Sequence, residues 1–312
     1  MLIELDPAVY TFEHHDSVVA MLVLFKRQWH DWAIHPMDVA AFTEFLRETQ
    51  QGLVSDTNRL FAENCAKNYL AYDKRAPTRL GGARLAEGVE ELGRPAAVIV
   101  ENAESDGCFL RAVATVLDSE VREAFEKGRI ALVHGGGVGD ACKQARKVCE
   151  ELPRFNRALL VLDSDRWVPG SESKHEKKAR ELRKAGVKVH VLLLREAENY
   201  VPNRVFVAIP RQRGRETTHL DSLKTLSHAQ RGHLDMKNGL KSTGDTASYQ
   251  RELYEDLPDF HRRRLVGGFG DRILHYFEDF VRSVSAEDIM KNAGPEALED
   301  LRDMLDQIKR IV

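Results

Sequence analysis

Acidic residues follow three of the four apolar runs in the middle of the chain. They are Glu101 after AAVIV, Asp163 and Asp165 after ALLVL, and Glu196 and Glu198 after VKVHVLLL. Close carboxylates repel one another or take up protons unless a cation neutralises them. Because this set offers oxygen ligands and no His or Cys, it indicates a site for Mg²⁺ or Mn²⁺.

The segment DSD places two of these acids one residue apart. In an extended chain, alternate side chains point to the same side. If the segment continues the preceding strand, the carboxylates of Asp163 and Asp165 can therefore reach a single ion.

The four apolar runs predict strands buried on both faces of a parallel sheet, since they are short and rich in Val, Leu and Ile. They are AAVIVE, RIALVH, ALLVLDSD and VKVHVLLLRE. The segments between them have helical periodicity, and the third ends at a predicted glycine cap, Gly186. These segments are DGCFLRAVATVLDSEVREAF, DACKQARKVCEEL and SKHEKKARELRKAG. The alternation predicts an α/β fold whose parallel sheet is covered by helices, with ligands at the carboxyl ends of the strands.

The regions outside the predicted sheet have a different character. In residues 1–90, DVAAFTEFLRETQQGLV and TNRLFAENCAKNYLAY place apolar residues at helical spacing before turn-rich APTRLGG. Residues 91–205 hold the strands and helices of the sheet. Residues 206–312 are irregular and basic and end in two predicted helices, DRILHYFEDFVRSV and PEALEDLRDMLDQIKRIV. We expect a helical N-terminal region with partner or dimer contacts, a catalytic domain, and an irregular, basic, α-rich C-terminal region.

The composition is that of a globular protein, with 43% hydrophobic and 30% charged residues among 312. The net charge of -3 excludes a generally basic nucleic-acid binder, but bases cluster between Lys143 and Arg195 and from Arg204 to Arg264. That clustering fits either a solvated face or a phosphate-facing surface. The scattered cysteines indicate reduced thiols. With no apolar run long enough for a membrane and no signal-like start, we expect a cytoplasmic protein without membrane contacts.

The stretch from about Ala96 to Pro202, about a third of the chain, resembles a Toprim domain. This is the catalytic fold of topoisomerases, primases and the overcoming-lysogenization-defect nucleases. VENAESD matches its strand followed by glutamate, DSD matches its D-x-D motif, and REAENYVP is similar to the E-N-Y element of the nuclease branch. This chain departs from the family at Asn102, where glycine is usual, and in a path from Glu101 to Asp106 that is one residue longer.

The resemblance implies a role for each acid. Asp163, Asp165 and Glu198 would bind metal, and Glu101 would bind metal or manage protons. Two alternatives stay open: Asp106 is either a metal ligand or the N-cap of the following helix, and Glu196 competes with Glu198 for the ligand position.

Other segments offer further candidates. HGGGVGDACK fails the spacing of phosphate-binding loops and is read as a strand-to-helix turn in which a DNA phosphate could lie. QRGHLDMKNGLKSTGD resembles a Lys-Gly element of Toprim nucleases, which makes Lys237 a candidate for stabilising charge on the phosphate, although loop lysines are often only solvated. His233 and the run HRRR, which contacts a nucleic-acid backbone or only solvent, are weaker candidates.

We therefore expect a Mg²⁺- or Mn²⁺-dependent nuclease that hydrolyses phosphodiester bonds of nucleic acid, DNA or RNA, in bacterial defence against phage. Its partners would be a separate ATPase or regulatory chain and further copies of itself. The alternatives are a primase or topoisomerase of Toprim type, and a Toprim protein that has lost activity and binds or regulates.

Overall fold

A computed structural model describes residues 1–70, 76–208, 216–241 and 248–312. The chain divides into two compact units, and each is described by itself. The first comprises Met1–Ala96, Leu152–Phe155 and Arg310–Val312. The second comprises Ala97–Glu151 and Asn156–Lys309. No helix in the described ranges combines the length and apolar character needed to cross a membrane.

The first unit contains a small parallel sheet with β1 at its centre and β2 and β3 on either side. Its elements are β1 (Leu2–Leu5), α1 (His15–Lys26), β2 (Asp31–Trp32), α2 (Asp38–Thr49), α3 (Val54–Leu70), β3 (Thr78–Leu80) and α4 (Leu85–Leu92). Its core includes an aromatic cluster: Trp32 stacks on Phe25 with ring centroids 4.9 Å apart, and Phe42 meets Trp32 edge-on. Offset and edge-on ring contacts of this kind add to the free energy gained from burial.

This sheet is an addition to the helical region expected in residues 1–90. The sequence predicts helices at the positions of α2 and α3, but β3 lies inside APTRLGG, which the sequence reads as a turn. Strands of two to four residues are too short to show alternation in the sequence.

The second unit is built on a sheet with strand order β5-β4-β6-β7, in which β4, β6 and β7 are parallel. Its first elements are β4 (Ala96–Val100), α5 (Ser105–Leu117), α6 (Ser119–Glu126), β5 (Ile130–His134), α7 (Val138–Glu151), β6 (Ala158–Leu162), α8 (Glu176–Lys184) and β7 (Lys188–Val191). All residues of β4 and β6 are buried. The α/β class with a parallel sheet flanked by helices is therefore confirmed.

The predicted elements of this unit differ from the observed ones in detail. The helix predicted after β4 is two helices, because Asp118 ends α5 and caps α6 by accepting the N–H groups of Glu120 and Val121. β7 ends at Val191, so LLLRE is a loop. Gly186 follows α8 with φ of 84°, in agreement with its predicted role as a glycine cap.

The remaining residues of the second unit are mainly helical. The helices are α9 (Asn203–Ala208), α10 (Glu216–Lys224), α11 (His228–His233), α12 (Ser248–Leu253), α13 (Asp259–Arg264), α14 (Ile273–Asp279), α15 (Ala286–Ala293) and α16 (Pro295–Ile311). α14 packs on α5, where Glu278 pairs with Arg111. The basic cluster from Arg204 to Arg264 includes Arg211, Arg213 and Arg215, which lie outside the described residues.

Candidate functional site

Three of the predicted acids line one small cavity at the carboxyl end of the sheet. Glu101 follows β4, Asp163 follows β6, and Asp106 lies in the first turn of α5. The cavity has a volume of about 20 Å³. That is room for one water molecule or a small ion.

The carboxylate of Asp106 points back toward the loop that follows β4. Its Oδ2 accepts the N–H of Asn102 at 2.9 Å, and its Oδ1 accepts the hydroxyl of Ser105 at 3.2 Å. α5 begins at Ser105, so Asp106 lies inside the first turn and is not the N-cap. Burial raises the pKa of Asp106 despite these hydrogen bonds.

Asp163 lies among other acids. Its Oδ1 accepts the N–H of Ala197 at 3.0 Å, which links the loops after β6 and β7. Burial raises its pKa well above the ordinary value, and the charge of Glu198 raises it further. The pKa of Glu101 is raised first by burial and then by the charge of Asp106. These carboxylates are thus close enough to disfavour one another's ionised forms.

Asp165 does not continue the strand. Its φ is 52°, in the left-handed region, so DSD is not the extended segment that would turn both aspartates the same way. Its Oδ2 accepts hydrogen bonds from Nε2 of His175 at 3.1 Å and Nζ of Lys174 at 3.2 Å. The hydrogen bond from His175 is the main cause that lowers its pKa to about 2. Asp165 is not among the residues that line the small cavity.

Glu198 is the most deeply buried of the candidate ligands, with 1% of its surface exposed. Its Oε1 lies 3.0 Å from Nζ of Lys237, and its buried Oε2 accepts no hydrogen bond within the described residues. Glu196 differs, because its Oε1 accepts the N–H of Met236. Burial, followed by the charge of Glu198, raises the pKa of Glu196 to about 8. Of the two glutamates, Glu198 has the freer oxygen.

The rest of the E-N-Y element holds this loop in place. Asn199 donates to the carbonyls of Arg231 and Leu234, and its Oδ1 accepts the N–H of Glu196. The hydroxyl of Tyr200 donates to Asp300 and accepts the N–H of Leu194. Both side chains are fully buried. They fix the short 3-10 helix Ala197–Tyr200 that carries Glu198.

Lys237 brings a positive charge to the cluster. Burial lowers its pKa, but the carboxylates of Glu198, Glu196 and Asp163 outweigh burial and raise it overall. Its loop depends on Gly239, which has φ of 74° and whose added Cβ would lie 2.0 Å from the carbonyl oxygen of Leu265. The Lys-Gly spacing therefore has a structural reason: the glycine allows the close approach of two loops, and the lysine reaches the acids.

The glycine-rich segment forms the predicted strand-to-helix turn between β5 and α7. Gly136 and Gly137 have positive φ, and the N–H of Gly136 donates to the carbonyl of Glu101 at 3.0 Å. This turn therefore lies against the backbone of the first acidic loop. Of the weaker candidates, His233 lines a different cavity, and the HRRR run forms part of α13.

The donor set suits a hard divalent cation in its chemistry, since it consists of carboxylate oxygens and includes the unpartnered Oε2 of Glu198. Within the described ranges, however, no three His, Cys, Asp or Glu side chains form a group that could hold a metal ion as they stand. Lys237 and backbone N–H groups engage the oxygens instead. A cation could approach Glu198 through Oε2, and one that also binds Oε1 would replace the ammonium of Lys237.

His175 and Lys174 are functional candidates that the sequence analysis missed. The segment SKHEK reads only as the start of a helix, and His175 lies directly before α8. Its contact with Asp165 depends on the left-handed turn at that residue, for which the sequence carries no signal.

Comparisons with protein-family models, with curated proteins and with solved structures gave no match to this chain.

Proposed function

We propose that the chain is a Toprim-type nuclease that uses Mg²⁺ or Mn²⁺ to hydrolyse phosphodiester bonds of nucleic acid. The observation that carries this proposal is the cavity of about 20 Å³ lined by Glu101, Asp106 and Asp163. Glu198 lies close enough for its charge to act on Asp163. A fold gains no stability from such crowding, so a cationic ligand explains it better than packing does.

Each residue has a role in this proposal. A bound divalent cation would polarise the scissile phosphate and favour ionisation of the attacking water. Asp163 and Glu198 would hold the cation, with Asp106 and Asp165 as further candidate ligands. Glu101 combines a raised pKa with a place in the cavity, which suits a group that accepts a proton.

Lys237 would change partner during the reaction. In the free protein its ammonium neutralises Glu198. Once a cation takes over that carboxylate, the ammonium is free to face the phosphate. It would then stabilise the negative charge that develops on the phosphate oxygens.

The test is cleavage of plasmid, single-stranded DNA and tRNA with Mg²⁺, Mn²⁺ or chelator. We expect cleavage by the wild type with either metal, none in chelator, and none by Asp163→Asn or Glu198→Gln. Glu104→Gln is the matched control, because this exposed acid lies in the same loop as Glu101 and outside the cavity. Cleavage by the wild type in excess chelator would overturn the proposal.

A second candidate follows from the ion pair of Lys237 and Glu198 and from the absence of a ready metal-ligand group in the described residues. On this view the chain is a Toprim protein that binds or regulates without catalysis. Such a protein would show no increase in melting temperature with Mg²⁺, whereas a metal enzyme gains stability from any ligand that binds only its folded state.

The biological setting is part of the same proposal. We place the nuclease in the cytoplasm in anti-phage defence, as a homo-oligomer that works with an ATPase or regulator on another chain. Co-purification of the tagged protein from its host, with and without phage infection, tests for that second chain.

A further inference from the structure

A larger cavity lies next to the loops that carry the acids, within the second unit. Its volume is about 330 Å³. Leu193 and Leu194 of the loop after β7 line it, as does Arg166, which directly follows Asp165. The other walls are α11 and the start of α16.

Arg166 brings an uncompensated charge to this cavity. Its Nη1 donates to the carbonyl of Leu193 at 2.8 Å, and its buried Nε has no hydrogen-bond partner in the described part of the chain. Within those same residues, no carboxylate lies at ion-pair distance from the guanidinium. A guanidinium held by a carbonyl alone retains donors for an anion.

Two histidines on α11 line the same cavity. Nδ1 of His233 donates to the carbonyl of Ala229 at 2.8 Å, and Nε2 of His228 donates to the carbonyl of Lys291 at 3.0 Å. His233 is only 6% exposed. Burial lowers its pKa, and the charges of Arg166 and Arg195 lower it further, as expected in an electropositive environment. The second ring nitrogen of each histidine can accept a P–OH group or, when protonated, donate to a phosphate oxygen.

The start of α16 adds backbone donors. This helix runs for 17 residues from Pro295, and Glu296 and Ala297 of its first turn line the cavity. Pro295 has no N–H and the N–H of Leu298 donates to the carbonyl of Gly294, so the candidate donors of this turn are the N–H groups of Glu296 and Ala297, where the helix dipole favours an anion. Glu296 is exposed, so its carboxylate can turn toward water.

We propose that this cavity binds a phosphate group through Arg166, the two histidines and the start of α16. The phosphate belongs either to the end of a nucleic-acid strand or to a small phosphorylated molecule. The site uses none of the acids of the candidate metal centre, so it is independent of the proposed nuclease activity.

The test is calorimetric titration of the full chain with inorganic phosphate in excess chelator, which excludes metal-mediated binding. Arg166→Gln should weaken binding by at least roughly 10-fold, because a charge-assisted hydrogen bond is lost. Arg302→Gln is its matched control, since this exposed arginine lies on α16 away from the cavity and pairs with Glu299. It should leave binding unchanged.

A second variant distinguishes a direct effect on phosphate binding from damage to the fold. Glu296→Gln removes an acid from the cavity wall and should tighten phosphate binding by roughly 2- to 5-fold, while Glu299→Gln on the same helix should not. A damaged fold does not produce tighter binding. No saturable phosphate binding by the wild type, or binding unchanged in both Arg166→Gln and Glu296→Gln, would overturn the inference.

Two further experiments are needed. The first distinguishes a strand end from a small phosphorylated ligand, and the second distinguishes phosphate binding from the proposed nuclease activity. If the ligand is a strand end, a 5′-phosphorylated oligonucleotide should bind more tightly than its 5′-hydroxyl counterpart, and Arg166→Gln should abolish that preference. Equal binding of the two oligonucleotides, together with saturable inorganic phosphate, identifies a small phosphorylated ligand. Phosphate binding by Asp163→Asn should match the wild type whether or not the chain proves to be a nuclease.

Discussion

Nε2 of His175 lies 3.1 Å from Oδ2 of Asp165, the second acid of the DSD segment. Lys174 approaches the same oxygen at 3.2 Å, and the backbone at Asp165 is left-handed. Hydrogen bonds from His175 and Lys174 thus keep the pKa of this carboxyl low, whereas burial and the charge of Glu198 raise the pKa of Asp163. Within three residues, DSD contains one acid that readily ionises and one that resists ionisation.

The contact between His175 and Asp165 predicts a pH-dependent contribution to stability. The folded pKa of Asp165, about 2, lies below its ordinary value of 3.8. The contribution is therefore fully present above about pH 4 and is lost as the pH falls toward 2. His175→Ala should raise this pKa, so its stability deficit should be largest near pH 5 and shrink toward pH 2. Urea unfolding over this range measures it, with exposed His35→Ala as the control. A deficit that does not change with pH would contradict the assignment.

Asp163→Asn should abolish metal-dependent cleavage and stabilise the metal-free protein. The folded pKa of Asp163 is raised by burial and by neighbouring acids, so its charge costs stability above that pKa and the cost disappears as the pH falls. Asparagine keeps the oxygen that accepts the N–H of Ala197. Each kcal/mol relieved should raise the melting temperature by about 2–4 °C.

The control for this variant is Glu104→Gln, which removes one charge from an exposed position. It should change the melting temperature little. A melting temperature of Asp163→Asn equal to or below that of the wild type in chelator would show that the acids do not strain the free protein. Nucleic-acid affinity should survive in both variants, because basic residues attract the phosphates.

The central sheet was predictable because the signal for each of its strands lies within a short stretch of sequence. β4 and β6 are runs of five apolar residues, buried throughout, and such runs alternating with helical segments allow few other folds. The strands of the first unit carry too few residues for any period to appear. β2 and β3 are strands because they pair with β1, and this pairing joins residues that are distant in the sequence.

For the candidate site, the sequence predicts only which loops carry the acidic residues. Parallel strands bring Glu101, Asp163 and Glu198 to one edge whatever their side chains do. The left-handed conformation of Asp165 brings its carboxylate to Lys174 and His175, nine and ten residues away. The partner of Glu198 is Lys237, in a loop whose path depends on Gly239. These contacts arise from packing, so spacing in the sequence does not contain them.

Tyr200→Phe should lower stability by about 1–3 kcal/mol, because the N–H of Leu194 and the carboxylate of Asp300 lose their shared partner in a buried position. It should also lower cleavage, since Tyr200 fixes the 3-10 helix that carries Glu198. Tyr254→Phe is the matched control: its buried hydroxyl donates to the carbonyl of Gln230 on α11 and not to the 3-10 helix or to the loop before it. Urea unfolding and cleavage rates measure both variants. Equal losses of cleavage would mean that Tyr200 acts only through stability.

Lys237→Met should destabilise the metal-free protein by about 1–3 kcal/mol, because it leaves the buried carboxylate of Glu198 without a counter-charge. The loss should be much smaller when Glu198→Gln is already present, since the amide needs no counter-charge. Lys224→Met, which breaks an exposed ion pair with Asp221, should cost almost nothing. Additive losses in the double variant would show that the contact contributes no coupling energy.

The response to Mg²⁺ distinguishes the two roles proposed for Lys237, which are to neutralise Glu198 and to face the phosphate. If the cation and the ammonium compete for Glu198, Mg²⁺ should raise the melting temperature of Lys237→Met more than that of the wild type, and that of Glu198→Gln least. Cleavage by Lys237→Met should nevertheless fall by roughly 10- to 1,000-fold, because the charge that would face the phosphate is gone. A variant that binds Mg²⁺ better and cuts worse fits a lysine that changes partner. Unchanged cleavage would leave Lys237 as the counter-ion of Glu198 alone.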